Sequence, residues 1–189
     1  MSADFTTARL NMVESQVRTQ DVTDTAIHDA MRAVPREALV APGKAYAAYA
    51  DSEVEYAPGR YLLKPRDVAK LLQALHPQPL ERALAIAAPY AAAVLEKMGL
   101  SVERLEGELT ALPGGGYDVI VCEGAVAQAP AGWIEALAPD GRLAVIERDG
   151  PVGKAVIYVR AGDGLGRREL FDATPPVLPG FAREPKFAF

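Results

Sequence analysis

Residues 83–99, ALAIAAPYAAAVLEKMG, predict a buried strand that turns directly into a helix. The strand is predicted over residues 84–87, which are continuously apolar, as in a central strand covered on both faces. Beyond the turn, apolar residues recur with helical spacing until Gly99, which is a common helix stop. Pro89 suits the first helical position, where its missing N–H has no intrahelical partner. This unit predicts an open α/β sheet, in which ligands usually bind beside such a turn.

The turn itself differs from the turns that hold nucleotide-type cofactors. Such turns usually carry glycines, because a backbone without Cβ atoms can approach the ligand and present its N–H groups. This turn has no glycine, and its proline has no N–H to offer. The turn formed by Ala87, Ala88, Pro89 and Tyr90 therefore lacks the features that a nucleotide-type cofactor usually needs.

The composition narrows the class of protein. With 189 residues, of which 50% are hydrophobic, the chain is long enough for one sizeable core, so we expect a single domain over residues 1–189. A net charge of −5 without a basic stripe argues against a nucleic-acid partner. No apolar run reaches the roughly 18 residues of a membrane span, so we expect no membrane partner. The single cysteine, Cys122, and the absence of an apolar leader favour a cytoplasmic location.

Residues 1–78 predict a helical cap followed by an irregular segment. A first helix is predicted over residues 4–19, with Leu10, Val13 and Val17 on its buried face. The other local signals in this part are a helix-capping Asp24, a helix-ending Pro35, a hairpin-like turn at Pro58-Gly59 and a helix-opening Pro65.

Residues 79–189 predict the sheet. Its strands are predicted over residues 84–87, 102–106, 117–122 and 142–147, with a helix over 130–138 and a closing antiparallel hairpin of residues 154–160 and 168–172. The connection from Glu106 to Tyr117 is too short for a parallel crossover, which needs about a dozen residues including a helix. One strand-and-helix unit of a full doubly wound sheet is therefore missing there.

The last stretch, TPPVLPGFAREPKFAF over residues 174–189, is too rich in proline for regular structure. Three phenylalanines, Phe181, Phe187 and Phe189, are costly to leave in water. We therefore expect this tail to dock into an apolar groove of the same chain or of a second copy.

Several longer segments carry a resemblance to a known family. They are MVESQVRTQDVTD (12–24), AMRAVPREALV (30–40), AYADSEVEYAPGRYLLKP (48–65), PYAAAVLEKMG (89–99), YDVIVCEGAVAQAP (117–130) and LAPDGRLAVI (137–146). Together they resemble the protein-L-isoaspartate O-methyltransferase family over nearly the whole chain. The resemblance implies a Rossmann-like methyltransferase fold, with a central, mostly parallel sheet flanked by helices. Here that fold is expected to be shortened after the second predicted strand of the sheet (residues 102–106), with a helical N-terminal cap and a C-terminal antiparallel hairpin.

The resemblance also exposes departures at both functional ends. The family holds S-adenosylmethionine with a Gly-x-Gly-x-Gly type turn, and here Ala87, Ala88 and Pro89 stand in its place. The family then uses the hydroxyls of a Thr-x-Ser-Gln-Pro segment for the isoaspartyl carboxylate, whereas Tyr61 and Leu63 occupy those hydroxyl positions here. The missing unit after strand 2 is where the family places residues around the adenine.

Four residues remain as candidates for contacts in the cofactor crevice. Glu106 or Glu103 could serve as the ribose-binding acid at the end of the second strand, and Glu123 with Gly124 follows the third strand. For these carboxylates the alternative interpretation is a solvated surface group.

Three functional hypotheses follow. The favoured one is a catalytically silent relative that has no catalytic residues, binds neither S-adenosylmethionine nor a metal, and acts as a binding or assembly module for a protein partner or a second copy. The second is an active S-adenosylmethionine-dependent methyltransferase with a nonstandard loop. The third is a site for some other small ligand, formed by Arg60, Lys64 and Tyr90.

Overall fold

A six-stranded sheet with helices packed on it forms the centre of the protein in the computed structural model, which describes residues 4–183. The strands are β1 (Val54–Ala57), β2 (Arg60–Leu62), β3 (Arg82–Ile86), β4 (Ser101–Leu105), β5 (Tyr117–Val126), β6 (Leu137–Glu147), β7 (Gly153–Ala161) and β8 (Gly164–Ala173). The α-helices are α1 (Phe5–Met12), α2 (Thr25–Ala33), α3 (Pro65–Leu75), α4 (Pro89–Lys97) and α5 (Ala131–Glu135). Strands β1 and β2 form a separate antiparallel hairpin, as the sequence predicted.

The strand order of the large sheet is β4-β3-β5-β6-β7-β8. The first four of these strands are parallel, and β7 and β8 add to β6 as an antiparallel hairpin. Strand β3 lies between β4 and β5, with Ala85 opposite Arg104 on one side and Val121 on the other. The strand of the unit predicted from residues 83–99 is therefore in the interior of the sheet, and its carboxyl end leads into the β3–α4 turn.

The connection from β4 to β5 is as short as predicted. Residues 106–116, all of which are described, form turns with neither helix nor strand, and β4 is consequently an edge strand. The indole N–H of Trp133 in α5 donates to the carbonyl of Leu109 at 2.8 Å and anchors this connection.

The N-terminal cap differs from the prediction in one helix. A single helix over residues 4–19 is wrong, because α1 ends at Met12 and a π-helical turn (Val13–Val17) and a 3-10 turn follow. A π turn contains more residues than an α turn, so it rotates the following side chains around the axis. Met12, Val13 and Val17 are buried, whereas Leu10, predicted on the buried face, is 44% exposed.

Several strands and one helix have other limits than predicted. Strand β3 ends at Ile86 rather than at residue 87, and β5 continues to Val126. Strand β8 begins at Gly164 rather than at residue 168, because the hairpin turn is only about two residues long. The sequence did not indicate this start, since the first residues of this exposed strand show no apolar alternation. The helix predicted over residues 130–138 is shorter, because α5 ends at Glu135 and β6 begins at Leu137 rather than at residue 142. In α5, Trp133 is buried and Ile134 is half-buried.

The core lies on both faces of the sheet. One hydrophobic cluster joins the cap and helices α3 and α4 to one face, and it includes Met12, Leu72 and Ala85. The cluster on the opposite face includes Leu84, Ile86 and Trp133. Because successive strand residues point to opposite faces, the apolar run of β3 is divided between the two clusters. The cap is therefore continuous with the sheet core.

Candidate cofactor crevice

The β3–α4 turn combines a backbone conformation that favours glycine with buried, mostly apolar side chains. Ala87 adopts a left-handed conformation with φ of 45°, which glycine tolerates far better than alanine, and its N–H donates to the carbonyl of Leu105 at 2.9 Å. Pro89 occupies the first position of α4, as predicted. Ala87, Ala88 and Tyr90 are at most 1% exposed. Methyl groups and a phenol ring thus fill the space beside the turn.

Glu123, near the end of β5, supplies the group that meets the start of α4. Its Oε1 accepts the N–H of Ala91 at 2.6 Å, and its Oε2 accepts the N–H of Leu63 at 3.2 Å. Ala91 is the third residue of α4, so its N–H has no intrahelical acceptor, and the positive helix terminus favours a carboxylate. Glu123 therefore caps α4 from a neighbouring strand.

For Glu123, the alternative interpretation of a solvated surface carboxylate is wrong. The side chain is 0% exposed, because β5 runs on to Val126 and chain segments from the cap and the C-terminal part cover its end. Burial raises the pKa of Glu123 to about 7, and the nearby Glu106 also raises it. The charge of Arg36 and the N–H groups of Ala91 and Leu63 act in the opposite direction.

Arg36 brings a fully buried positive charge to the same place. Its Nε donates to the carbonyl of Ala48 at 2.6 Å and its Nη2 to the carbonyl of Leu63 at 2.5 Å. The guanidinium carbon lies 4.5 Å from the ring centroid of Tyr90, a cation–π distance. Among residues 4–183, neither Arg36 Nη1 nor the Tyr90 hydroxyl has a hydrogen-bond partner. Burial lowers the pKa of Arg36, an effect that the nearby Tyr90 and Glu123 oppose.

The candidate ribose acids are engaged by the chain itself. Glu106 keeps 41% of its side chain exposed, but its Oε2 accepts from the Tyr56 hydroxyl at 3.0 Å and from Arg60 Nη1 at 3.3 Å. Arg60 also donates to the carbonyls of Glu106 and Gly107. Glu103 accepts the Tyr117 hydroxyl at 2.6 Å. A solvated carboxylate therefore describes Glu106 only in part, because Tyr56 and Arg60 both bind its Oε2 while the side chain stays partly exposed.

The C-terminal segment covers the end of β5. Leu178 donates its N–H to the carbonyl of Ala125 at 2.8 Å, and Val177 forms a parallel bridge with Ala125. Gly124 makes this close approach feasible, since a Cβ there would lie 2.6 Å from Cγ of Leu178. Gly124 is thus buried under the tail, and the carboxyl edge of the sheet is closed at this point.

Part of the predicted tail docking is observed. Phe181 packs on Trp133 with ring centroids 5.5 Å apart. Phe187 and Phe189 lie outside the described residues.

The two hydroxyl positions of the substrate end do not form a polar site. Tyr61 is half-buried in β2, and Leu63 is fully buried, with its peptide N–H on Glu123 and its carbonyl on Arg36. Lys64 lies 3.9 Å from Glu53. The third hypothesis is wrong in its geometry, because Tyr90 is sealed in the core and Arg60 is bound to the end of β4.

Arg36 and Leu178 were not predicted as parts of this crevice. Arg36 carries a visible signal, an arginine within the mainly apolar segment AMRAVPREALV, but the distant groups that it meets cannot be inferred from that segment. Leu178 is one apolar residue of a proline-rich tail and carries no such signal.

Comparison with solved structures shows the fold. The chain superposes on a Plasmodium falciparum protein described as a protein-L-isoaspartate O-methyltransferase and solved with S-adenosyl-L-homocysteine, with a TM-score of 0.75 and 15% identity over 90% of this chain and 97% of that one. A second structure of a protein-L-isoaspartate O-methyltransferase gives a TM-score of 0.71 and 18% identity over 87% of this chain and 64% of that one. The fold is a Rossmann-like methyltransferase fold.

Sequence comparison shows the family. The profile of the protein-L-isoaspartate(D-aspartate) O-methyltransferase family matches residues 8–107. A protein-L-isoaspartate O-methyltransferase of Bradyrhizobium sp. (strain ORS 278) is 32% identical over 92% of this chain and 95% of that protein. The enzyme of Methylorubrum extorquens (strain PA1) is 42% identical over 54% of this chain and 46% of that protein. The chain belongs to the protein-L-isoaspartate O-methyltransferase family.

No helix within residues 4–183 is long and apolar enough to cross a membrane.

Proposed function

We propose that this protein is a catalytically silent member of its family, which does not bind S-adenosylmethionine and acts as a binding or assembly module. The observation that carries the proposal is the carboxylate of Glu123, which takes the free N–H groups at the start of α4 and at Leu63. A cytoplasmic location is part of the proposal and rests on the single cysteine, Cys122.

The residues at the β3–α4 turn do not fit the cofactor. Entry of a ligand would require displacement of the methyl group of Ala87 and the ring of Tyr90, which are packed in the core. A ligand carboxylate at this turn would also meet the like charge of ionised Glu123. Moving Glu123 aside would leave the buried N–H groups of Ala91 and Leu63 without their acceptor, and an unsatisfied buried donor typically costs about 1–3 kcal/mol.

The remaining contacts that the family resemblance implies are also engaged or missing. Arg60 and Tyr56 both bind Oε2 of Glu106, so ribose hydroxyls would compete with groups of the chain for that oxygen. At the substrate end, Leu63 cannot hydrogen-bond through its side chain, and Lys64 fixes orientation poorly as a flexible point charge. Methyl transfer requires the carboxylate oxygen to be held near the methyl group, and nothing at Tyr61 or Leu63 would hold it.

Cofactor binding is the direct test. We expect no heat of binding when S-adenosylmethionine or S-adenosylhomocysteine is titrated at micromolar concentration, because each lost charge-assisted donor weakens binding by about 1.5–3 kcal/mol. The Bradyrhizobium relative, titrated under the same conditions, is the positive control. A dissociation constant in the low-micromolar range for this protein would overturn the proposal.

Transfer of a labelled methyl group to an isoaspartyl peptide is the companion measurement. We expect no label above background. Turnover that survives Tyr61→Ala and Lys64→Ala would place a working site elsewhere, whereas turnover abolished by these changes would support an active enzyme at the expected site.

The second candidate is an active methyltransferase with a nonstandard loop. The left-handed backbone of Ala87 favours it, because the turn keeps a conformation that a glycine loop would adopt. Binding would then require a rearrangement of Glu123 and Tyr90.

For the module itself we propose a protein partner or a second copy of the chain. Light scattering after size-exclusion chromatography separates the two: a dimer supports self-association, and a monomer supports a different protein.

A further inference from the structure

Two N–H groups from separate parts of the fold converge on one carboxylate. Ala91 belongs to α4, whereas Leu63 lies between β2 and α3, and they are bound by different oxygens of Glu123. Both residues and the carboxylate are fully buried. The arrangement is a two-donor anion position that is closed to solvent and links the hairpin segment to the sheet.

The surrounding side chains provide more positive potential and more donors than Glu123 uses. Arg36 is fully buried, its Nη1 has no partner among residues 4–183, and its guanidinium lies over the ring of Tyr90. The Tyr90 hydroxyl is likewise buried without a partner in this range. Unsatisfied buried donors are rare and require an explanation, and a site organised around an anion supplies one.

We propose that the N–H groups of Leu63 and Ala91 form a carboxylate-binding site whose resident ligand is the side chain of Glu123, and that a small free carboxylate binds there when this side chain is truncated. This inference rests on the proposed function, in which the crevice is closed to S-adenosylmethionine. To that function it adds the group that closes the crevice, Glu123, and the chemical class of ligand that the position accepts, a carboxylate.

Truncation of Glu123 tests the proposal by chemical rescue. Glu123→Ala removes Cγ, Cδ and both oxygens, which are the heavy atoms of acetate. The variant loses two hydrogen bonds to a charged acceptor, so its melting temperature should fall by on the order of 10 °C. At pH 8, sodium acetate should then raise the melting temperature, by about 3 °C or more at ten times its dissociation constant and further with the logarithm of its concentration, relative to sodium chloride of equal ionic strength.

The size of the carboxylate provides a second criterion. Acetate should stabilise Glu123→Ala more than formate, which leaves part of the void empty, and benzoate should have no effect because the ring does not fit. Wild-type protein should respond to acetate no more than to chloride. Amide resonances of Leu63 and Ala91 should shift on addition of acetate to the variant only.

Two further variants keep the test decisive. Asp118→Ala is the matched control, because Asp118 also accepts a backbone N–H, from Arg82 at 2.9 Å. Asp118 is only half-buried and lies at the amino end of β5, away from Glu123. This variant should show no acetate-specific effect. Glu123→Gln keeps the volume but has one acceptor oxygen, so the amide of Leu63 or of Ala91 should exchange faster than in the wild type.

The outcomes separate this inference from the proposed function. If Glu123→Ala does not fold in chloride, recovery of folded protein on refolding in acetate supports the inference, and failure in both salts overturns it. Equal responses of Glu123→Ala to acetate and chloride, or unchanged protection of both amides in Glu123→Gln, also overturn it. Tight binding of S-adenosylmethionine to the wild type would overturn the proposed function and leave the acetate result standing.

Discussion

Opposing effects of its surroundings determine the charge state of Glu123. Complete burial disfavours its charged form, while the N–H groups of Ala91 and Leu63 and the charge of Arg36 favour it. The balance leaves its pKa raised to about 7. At Ala87, too, the surroundings maintain an unfavourable state. Its left-handed backbone is unfavourable for alanine, but a hydrogen bond to β4 and dense packing hold it in place.

The raised pKa of Glu123 predicts a pH dependence of stability. The folded state keeps the Glu123 proton up to about pH 7, whereas the unfolded state releases it near the ordinary value of 4.5. The unfolded state therefore binds fewer protons over this range, so the free energy of unfolding should fall as the pH rises from about 5 to 7. The charged and titratable groups near Glu123 are Arg36, Glu106, Tyr56, Tyr90 and Cys122.

Urea unfolding of the wild type and Glu123→Gln at several pH values measures this effect. The difference in free energy of unfolding between the two proteins should change in favour of the variant as the pH rises. Parallel pH profiles would show that the titration of Glu123 does not influence folding.

At the level of elements, the C-terminal segment behaves as an added strand at the end of β5. Up to residue 183, where the described part of the chain ends, it forms a single bridge and no longer strand or helix, yet its backbone hydrogen-bonds to Ala125 and Ala127. Leu178 is 2% exposed and packs directly on Gly124. The segment thus packs on the carboxyl edge of the sheet, at the end of the strand that carries Glu123.

A double-mutant cycle at Gly124 and Leu178 tests this packing. Leu178→Ala should lower the free energy of unfolding by about 2–5 kcal/mol, as for other buried leucines. Gly124→Ala should cost about 1–3 kcal/mol, because its Cβ would overlap Leu178 and its φ of 155° suits glycine. In the Leu178→Ala background, Gly124→Ala should cost less by at least about 0.5 kcal/mol, since the overlapping side chain is gone.

Denaturant unfolding of the four proteins gives the coupling energy. Val152→Ala, at a side chain that is 53% exposed, should be nearly neutral and serves as the control. Strict additivity at Gly124 and Leu178 would contradict the contact.

For the whole molecule, the cap and the sheet share one core. The cluster that contains Met12 and Leu72 continues through Val119 and Ala144, and Glu123 adds a polar link to Leu63. The single domain expected over residues 1–189 stays a prediction, and this continuity supports it.

Cooperative unfolding is the measurable consequence. The fluorescence of the only tryptophan, Trp133, reports on the sheet face opposite the cap, whereas circular dichroism reports on all helices. Their urea midpoints should coincide, because neither part buries its apolar face without the other. Separated midpoints would show that the cap unfolds independently.

Local patterns determined much of this fold. The strand–turn–helix at residues 83–99, the short connection before Tyr117 and the closing hairpin were all predicted from periodicity, turn residues and connection length. The degenerate turn from Ala87 to Tyr90 was also visible, because the identity of its residues alone excludes a glycine loop. These features depend on neighbours in the chain, so the sequence by itself was sufficient.

Tertiary structure alone decided what fills the crevice. The acceptor Glu123 is 60 residues from Leu63 and 32 from Ala91, and Arg36 reaches Leu63 across 27 residues. A carboxylate after a strand has the same local pattern whether it is solvated or buried. Its burial here depends on which distant backbone groups meet it and on the tail that covers Gly124, and these contacts exist only when the whole chain is folded.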